Sequence, residues 1–139
     1  MIRDKRRLIV ERFKKSKRNY LVAKKIYDEA WKRVKELNKP LHEAVERGEI
    51  SEDELAEATV ENQYKPLRLS SGVVITFEEA MDALKKAEDE LIEAGLDALD
   101  ALLDEEKRRE LSALWDYWRS DKLFFVRDKV VNMFMKWEP

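Results

Sequence analysis

Residues 9–41 read IVERFKKSKRNYLVAKKIYDEAWKRVKELNKPL, and apolar side chains recur in them at the spacing of a packed helix. One series advances in steps of seven residues: Phe13, Tyr20, Tyr27, Val34 and Leu41. A second series interleaves with it: Ile9, Ser16, Ala23, Ala30 and Leu37. Two such series form a heptad-like pattern, which predicts a long helix with one apolar stripe. We call its larger members the partner-helix seam: Ile9, Phe13, Tyr20, Tyr27, Trp31 and Val34.

The predicted helix covers residues 1–39 and is long for a chain of this size. Residues 3–38 contain neither Gly nor Pro, and Pro40 is expected to end or kink the helix. About 35 helical residues span ~50 Å, more than the width of a compact domain of 139 residues. We therefore expect part of the helix to project or to pair with another chain as a coiled coil. Packing of the seam within the same bundle is the alternative.

The middle of the chain contains two helix-start motifs and one stretch that is not helical. Ser51 with Glu54 and Thr76 with Glu79 are capping boxes, in which each side chain bonds the other residue's backbone N–H. Between the two motifs, residues 64–75 contain Pro66 and end in Val73-Val74-Ile75, which favours extended structure. We expect a packed extended linker here, since an isolated hairpin is barely stable, and a small hairpin turning at Ser71-Gly72 is the alternative.

The C-terminal half is predicted to be helical from Thr76 to Trp118, with a break at Gly95 left open, and again over residues 122–137. Ser120 and Asp121 are expected to cap the final, aromatic helix. The predicted fold is all-α: a bundle of four to six helices with one short extended segment near 64–75. We treat 1–139 as a single domain, in which 1–39 is a basic helix and 40–139 an acidic bundle.

Charge is divided unevenly along the chain. Residues 1–39 hold 15 Lys and Arg against 5 Asp and Glu, whereas residues 40–110 hold 8 against 21. The formal net charge of −2 conceals this division. An asymmetry on this scale indicates charged partners rather than a particular fold.

The composition argues against most enzyme chemistry. The chain has no Cys and one His, so thiolate nucleophiles, zinc–thiolate sites and Ser-His-Asp triads are not expected. His42 and Glu46 stand four residues apart, but a di-iron site of the ferritin type needs two His. We predict no catalytic residues, no cofactor, no resident metal and no small-molecule substrate. A carboxylate-bound metal enzyme is the least favoured hypothesis.

The strongest interaction signal is a set of nine cations in the first eighteen residues. Cations at a helix N-terminus oppose the macrodipole, so helix stability does not explain their position. Nucleic-acid phosphates would explain it, and so would an acidic protein surface. The candidate binding residues are Arg3, Lys5, Arg6, Arg7, Arg12, Lys14, Lys15, Lys17 and Arg18.

Four carboxylates at spacings of 4, 3 and 4 form an acidic stripe on one predicted helix: Glu93, Asp97, Asp100 and Asp104. Like charges at i, i+4 are mutually unfavourable, which favours a basic neighbour. Residues 1–39 are the expected source of that neighbour, in the same chain or in another. A solvated helix face is the alternative reading.

In a general way the sequence resembles small helical adaptors and assembly proteins, including those of phages, viruses and plasmids. This resemblance implies a non-enzymatic interaction or assembly protein, which we expect to self-associate as a homo-oligomer. A nucleic-acid-binding regulator that uses the basic helix is the second hypothesis. With no signal sequence and no long apolar run, we expect a cytoplasmic protein without a membrane partner. Abundant Lys and Glu with few thermolabile residues resemble a heat-adapted composition.

Overall fold

The computed structural model describes the backbone of residues 2–118 and 123–139, and the side chains of residues 4–114 and 127–139. It is 81% helical, which confirms the predicted all-α bundle with a long N-terminal helix. Within the described residues no helix is long and apolar enough to cross a membrane. The elements in chain order are α1 (Ile2–Glu46), α2 (Glu52–Asn62), β1 (Leu67–Arg68), β2 (Val74–Ile75), α3 (Phe77–Leu102), α4 (Glu105–Trp118) and α5 (Leu123–Lys136).

The sequence predicted that Pro40 would end or kink the first helix. Helix α1 does not end there but continues to Glu46. A proline inside a helix removes the hydrogen bond to the carbonyl four residues earlier, that of Glu36. Both residues are exposed, so water reaches this part of the helix and the lost bond costs less. The helix ends before Gly48, whose φ of +72° is the left-handed conformation that favours glycine.

Both predicted capping boxes form. The Ser51 hydroxyl accepts a hydrogen bond from the Glu54 backbone N–H at 3.1 Å, and the Glu54 carboxylate accepts one from the Ser51 N–H. Thr76 and Glu79 make the same reciprocal pair at the start of α3. The start of α2 and of α3 is therefore specified locally, by side chains three residues apart. Ser120 and Asp121 lie outside the described residues.

The stretch expected to be a packed extended linker is a short β-hairpin instead. β1 and β2 pair antiparallel, with Leu67 opposite Ile75, and the turn contains Gly72 at a φ of +88°. Burial stabilises it, because Leu67 and Leu69 are 7% and 3% exposed. The Glu29 carboxylate of α1 also accepts a 2.6 Å hydrogen bond from the Ser70 backbone N–H. These tertiary contacts supply what a two-stranded hairpin lacks alone.

The long helical stretch after Thr76 breaks at Leu103, not at Gly95. Leu103 has a φ of +54°, and the Asp104 carboxylate accepts a 3.0 Å hydrogen bond from the Lys107 backbone N–H as the cap of α4. Gly95 is buried inside a continuous α3. A Cβ built on it would lie 2.7 Å from ring carbons of Phe134. Gly95 therefore provides space for a neighbouring ring rather than a helix end.

The chain divides into two compact units, and the first comprises residues 1–20 and 86–139. Its core joins α1, α3 and α5 through large side chains, and Phe13 and Phe134 are fully buried. The two rings meet edge to face at 5.9 Å between centroids, and Phe13 lies 5.3 Å from the Trp137 ring. The other buried members are Leu91, Ala94, Ala98, Leu99, Val130, Val131 and Met133.

The second unit comprises residues 21–85 and has its own core. The hairpin, α1 and the start of α3 contribute its buried residues: Ala30, Val34, Leu67, Leu69, Phe77 and Ala80. One polar contact ties α2 to α1: the buried Asn62 amide donates a 2.7 Å hydrogen bond to the Asn38 side chain. A buried amide without a partner would be destabilising, so this bond accounts for a polar residue at 4% exposure.

We expect Gly95→Ala to destabilise the first unit. In an open helix the change would add about 1 kcal/mol of helix propensity. Here the new methyl meets the Phe134 ring, and overpacking costs about 1–3 kcal/mol, so we expect a net loss near 1 kcal/mol. Chemical denaturation measures this. In a Phe134→Leu background the same change should stabilise, because the ring is gone. A stabilised single variant would contradict the packing.

We expect the Ser70 amide proton to report the titration of Glu29. Hydrogen bonds from Ser70 lower the pKa of Glu29 below 4.5, so the hairpin contact is fully present above that pH and is lost as pH falls through the lowered pKa. An NMR titration should give a Ser70 amide midpoint below 4.5. Glu29→Gln should abolish the titration, whereas Glu36→Gln should keep it. A midpoint at or above 4.5 would refute the contact.

Candidate functional site

The nine candidate cations of α1 fall into distinct groups in the structure. The side chain of Arg3 lies outside the described residues. Three others, Arg7, Arg12 and Lys17, are engaged in ion pairs with acids of the chain. The remaining five are exposed and make no ion pair with any described residue: Lys5, Arg6, Lys14, Lys15 and Arg18.

Arg12 joins the basic helix to the acidic stripe. Its Nη1 lies 2.8 Å from Asp97 Oδ2, and its Nη2 lies 3.3 Å from Glu93 Oε1. All three side chains are half exposed or more, so each pair contributes little to stability. The contact supplies the basic neighbour that the stripe was expected to need, and the neighbour comes from the same chain.

The other two carboxylates of the acidic stripe, Asp100 and Asp104, also have partners in the chain. Asp100 Oδ1 lies 3.2 Å from Arg108 Nη2, and Asp104 caps α4. Glu93, Asp97 and Asp100 lie on α3, whereas Asp104 lies beyond its end, so the stripe does not lie on one helix as predicted. Its four carboxylates have structural partners, which makes them a poorer candidate for a separate binding site than the exposed cations.

Lys17 binds the end of α5. Its Nζ donates a 2.8 Å hydrogen bond to the Trp137 carbonyl, lies 3.3 Å from Glu138 Oε1 and sits 5.5 Å from the centre of the Phe13 ring. Its side chain is 12% exposed. A cation beside the last carbonyls of a helix is favourable, because the C-terminus carries the negative end of the macrodipole.

Lys14, Lys15 and Arg18 border a shallow depression on the solvent side of α1, together with Leu8. We call these four residues the basic face. Leu8 is 64% exposed, which makes it an apolar side chain in water among cations. Glu11 and Arg12 also line this depression, and Glu11 pairs with Arg7 at 3.0 Å.

The partner-helix seam packs within the chain's own two units. Phe13 and Val34 are fully buried, and Ile9, Tyr20 and Tyr27 are partly buried. A side chain with no exposed surface cannot also contact a second chain. Trp31 alone among the six is exposed, at 43%, and its ring lies 5.4 Å from that of Phe77.

The residues with metal or acid–base chemistry are dispersed. His42 and Glu46 are both exposed on the last turns of α1. Among the described residues, no three His, Asp or Glu side chains cluster closely enough to hold a metal ion. The sequence hypothesis of a carboxylate-bound metal therefore has no group of ligands within that part of the chain.

One ion cluster was missed by the sequence analysis. Arg127 of α5 lies 2.6 Å from Asp89 and 3.5 Å from Glu88, both on α3. Burial raises the pKa of Glu88, although Arg127 opposes the shift. No sequence signal marks these residues, because 38 positions separate Asp89 from Arg127. The cluster connects two helices of the first unit.

No protein-family model matches the chain, and no curated protein sequence or solved structure matches it either. A function for this chain must therefore be argued from the arrangement of its own side chains.

We expect Lys17→Gln to destabilise the protein by about 1–2 kcal/mol, because it removes a mostly buried charge-assisted hydrogen bond and a favourable helix-end charge. Lys14→Gln and Lys15→Gln are the matched controls on the same helix. They should change the free energy of unfolding by less than about 0.5 kcal/mol. Urea denaturation of the three variants measures the difference. Equal effects at all three positions would remove the distinction between internal and outward cations.

Proposed function

We propose that this chain is a non-enzymatic interaction and assembly protein that binds an acidic protein partner through the basic face. The observation that carries the proposal is the basic face itself, in which three cations without an ion pair to described residues line the same shallow depression as an exposed leucine. The internal contacts of α1 use other cations of the same helix, Arg12 and Lys17.

The charges of the basic face have no explanation in the stability of α1. Lys14 and Arg18 are i, i+4 neighbours of like charge, which disfavours the helix slightly. A partner with negative charge relieves this repulsion, so binding and helix stability favour the same state.

Leu8 favours a protein over a phosphate backbone as the partner. Protein interfaces bury apolar side chains at their centres and surround them with polar and charged groups. Leu8, at 64% exposure, lies at one end of a depression that Lys15 and Arg18 also line, so it offers an apolar contact next to cations. The net charge of −2 also disfavours general attraction to nucleic acid.

Nucleic-acid binding is the second candidate, favoured by the length of the exposed basic segment. Residues 5–18 span about 20 Å of helix, along which duplex DNA presents about one phosphate charge per 1.7 Å of its axis. The five exposed cations of this segment that make no ion pair with a described residue could neutralise several phosphates. Such binding would weaken steeply with salt.

Capture from the source cell tests the proposal. Three baits are compared, each with and without nuclease: the wild type, a basic-face variant and a control variant that loses three exposed lysines elsewhere on α1. The basic-face variant is Lys14→Gln, Lys15→Gln, Arg18→Gln, and the control is Lys25→Gln, Lys32→Gln, Lys39→Gln.

We expect the wild type and the control to retain the same proteins after nuclease, and the basic-face variant to lose them. Because the two variants have equal net charge, a general electrostatic effect would appear in both. Loss of the captured proteins on nuclease treatment would favour the second candidate. Identical capture by all three baits would refute the basic face as the binding surface.

A further inference from the structure

We propose that the partner of the basic face is α2 of a second copy of this chain. The inference rests on the proposed function and identifies the acidic surface that the basic face binds. The surface that the basic face binds on the second copy is a line of carboxylates on α2. Its members are Asp53, Glu57 and Glu61, and we call them the acidic face.

The acidic face is exposed and has no basic neighbour of its own. Its three residues are spaced i, i+4, i+8 and therefore lie on one side of α2. Helix α2 contains five acids and no Lys or Arg, and none of the three carboxylates pairs with a described residue. Like charges at this spacing repel, as Lys14 and Arg18 do on α1.

The macrodipole of α2 affects the acids of the acidic face differently at the two ends of the helix. Glu52, Asp53 and Glu54 occupy the first turn of α2, where the macrodipole favours acids. Glu61 is in the last turn, where the dipole disfavours an acid and where no basic residue is present. A cationic partner on the acidic face would oppose this unfavourable placement of Glu61.

The two faces are similar in length, and each has an apolar neighbour. Leu8 to Arg18 spans about 15 Å of helix, and Asp53 to Glu61 spans about 12 Å. Val60, which precedes Glu61 on α2, is 54% exposed, and Leu8 on the basic face is 64% exposed. Each helix thus offers one apolar side chain beside its charges, in the manner of a small interface centre.

A second copy is the occupant because every copy presents both faces. The contact is heterologous, since different surfaces meet, and it either closes into a ring or continues as a chain of copies. Exposed charge pairs are individually weak, so the association is expected to be reversible and sensitive to salt.

Analytical ultracentrifugation of the full chain tests the inference over a concentration series from about 5 to about 500 μM, the range of weak association. Each series is measured at about 0.1 M and at about 1 M salt, because the higher concentration shortens the Debye length from about 10 Å to about 3 Å. The wild type should associate at low salt and dissociate at high salt. Circular dichroism and thermal midpoints establish that every variant folds.

Two neutralised variants and two controls locate the faces. The basic variant is the one described above, and the acidic variant is Asp53→Asn, Glu57→Gln, Glu61→Gln. Each should raise the dissociation constant at least about tenfold, whereas the controls should match the wild type. The controls neutralise exposed charges elsewhere: Lys25, Lys32 and Lys39 in one, and Glu43, Asp82 and Glu90 in the other.

A mixture of the two neutralised variants gives the sharpest result. Each retains the face that the other has lost, so one contact remains between unlike copies and none between like copies. We expect each variant to be monomeric alone and the equimolar mixture to form heterodimers. A mixture that stays monomeric would overturn the inference, as would an acidic variant that associates like the wild type.

The inference and the proposed function fail in different ways. If the wild type is monomeric throughout, but the basic variant loses captured proteins, the second copy is the wrong partner and the basic face remains a binding surface. If the wild type is monomeric and duplex DNA binds it in a salt-dependent way that the basic variant lacks, the nucleic-acid candidate replaces both.

Discussion

The burial of Phe13 against Phe134 and Trp137 sets the rotation of α1, and most of the first unit follows from that rotation. With Phe13 fully buried and its ring 5.3 Å from that of Trp137, Lys17 is brought to the last carbonyls of α5. Gly95 is the complementary condition, because only a residue without a side chain lets the Phe134 ring approach α3 so closely. One aromatic contact therefore determines which sides of α1 face protein and which face water.

The same rotation divides the cations of α1 by role. Arg12 and Lys17 flank Phe13 on the sides that meet α3 and α5, where acids and carbonyls receive them. Lys14, Lys15 and Arg18 are left on the solvent side with Leu8. The basic composition of the first eighteen residues is thus two features: a set of internal contacts and an outward surface. The outward surface is the basis of the proposed interaction role.

The second unit shows how tertiary contacts select a local structure that the chain alone leaves open. Residues 64–75 favour extended backbone, but their pairing depends on Leu67 and Leu69 being buried and on Glu29 accepting the Ser70 N–H. The carboxylate is contributed by α1, 41 residues earlier, so no short-range pattern contains it. Sequence reasoning therefore found the extended segment and misjudged its form.

The sequence by itself determined the features that depend on neighbours within a turn or two: the helical class, both capping boxes, the apolar stripe of α1 and the uneven charge. Hydrophobic periodicity and helix capping depend on residues three to seven positions apart, so both can be recognised in the sequence. Only the tertiary structure decided that α1 passes Pro40, that α3 breaks at Leu103 rather than Gly95, and which cations are internal. The role of each cation and the burial of Gly95 depend on contacts between distant residues, such as Lys17 with Trp137 and Gly95 with Phe134, whose separation along the chain carries no pattern.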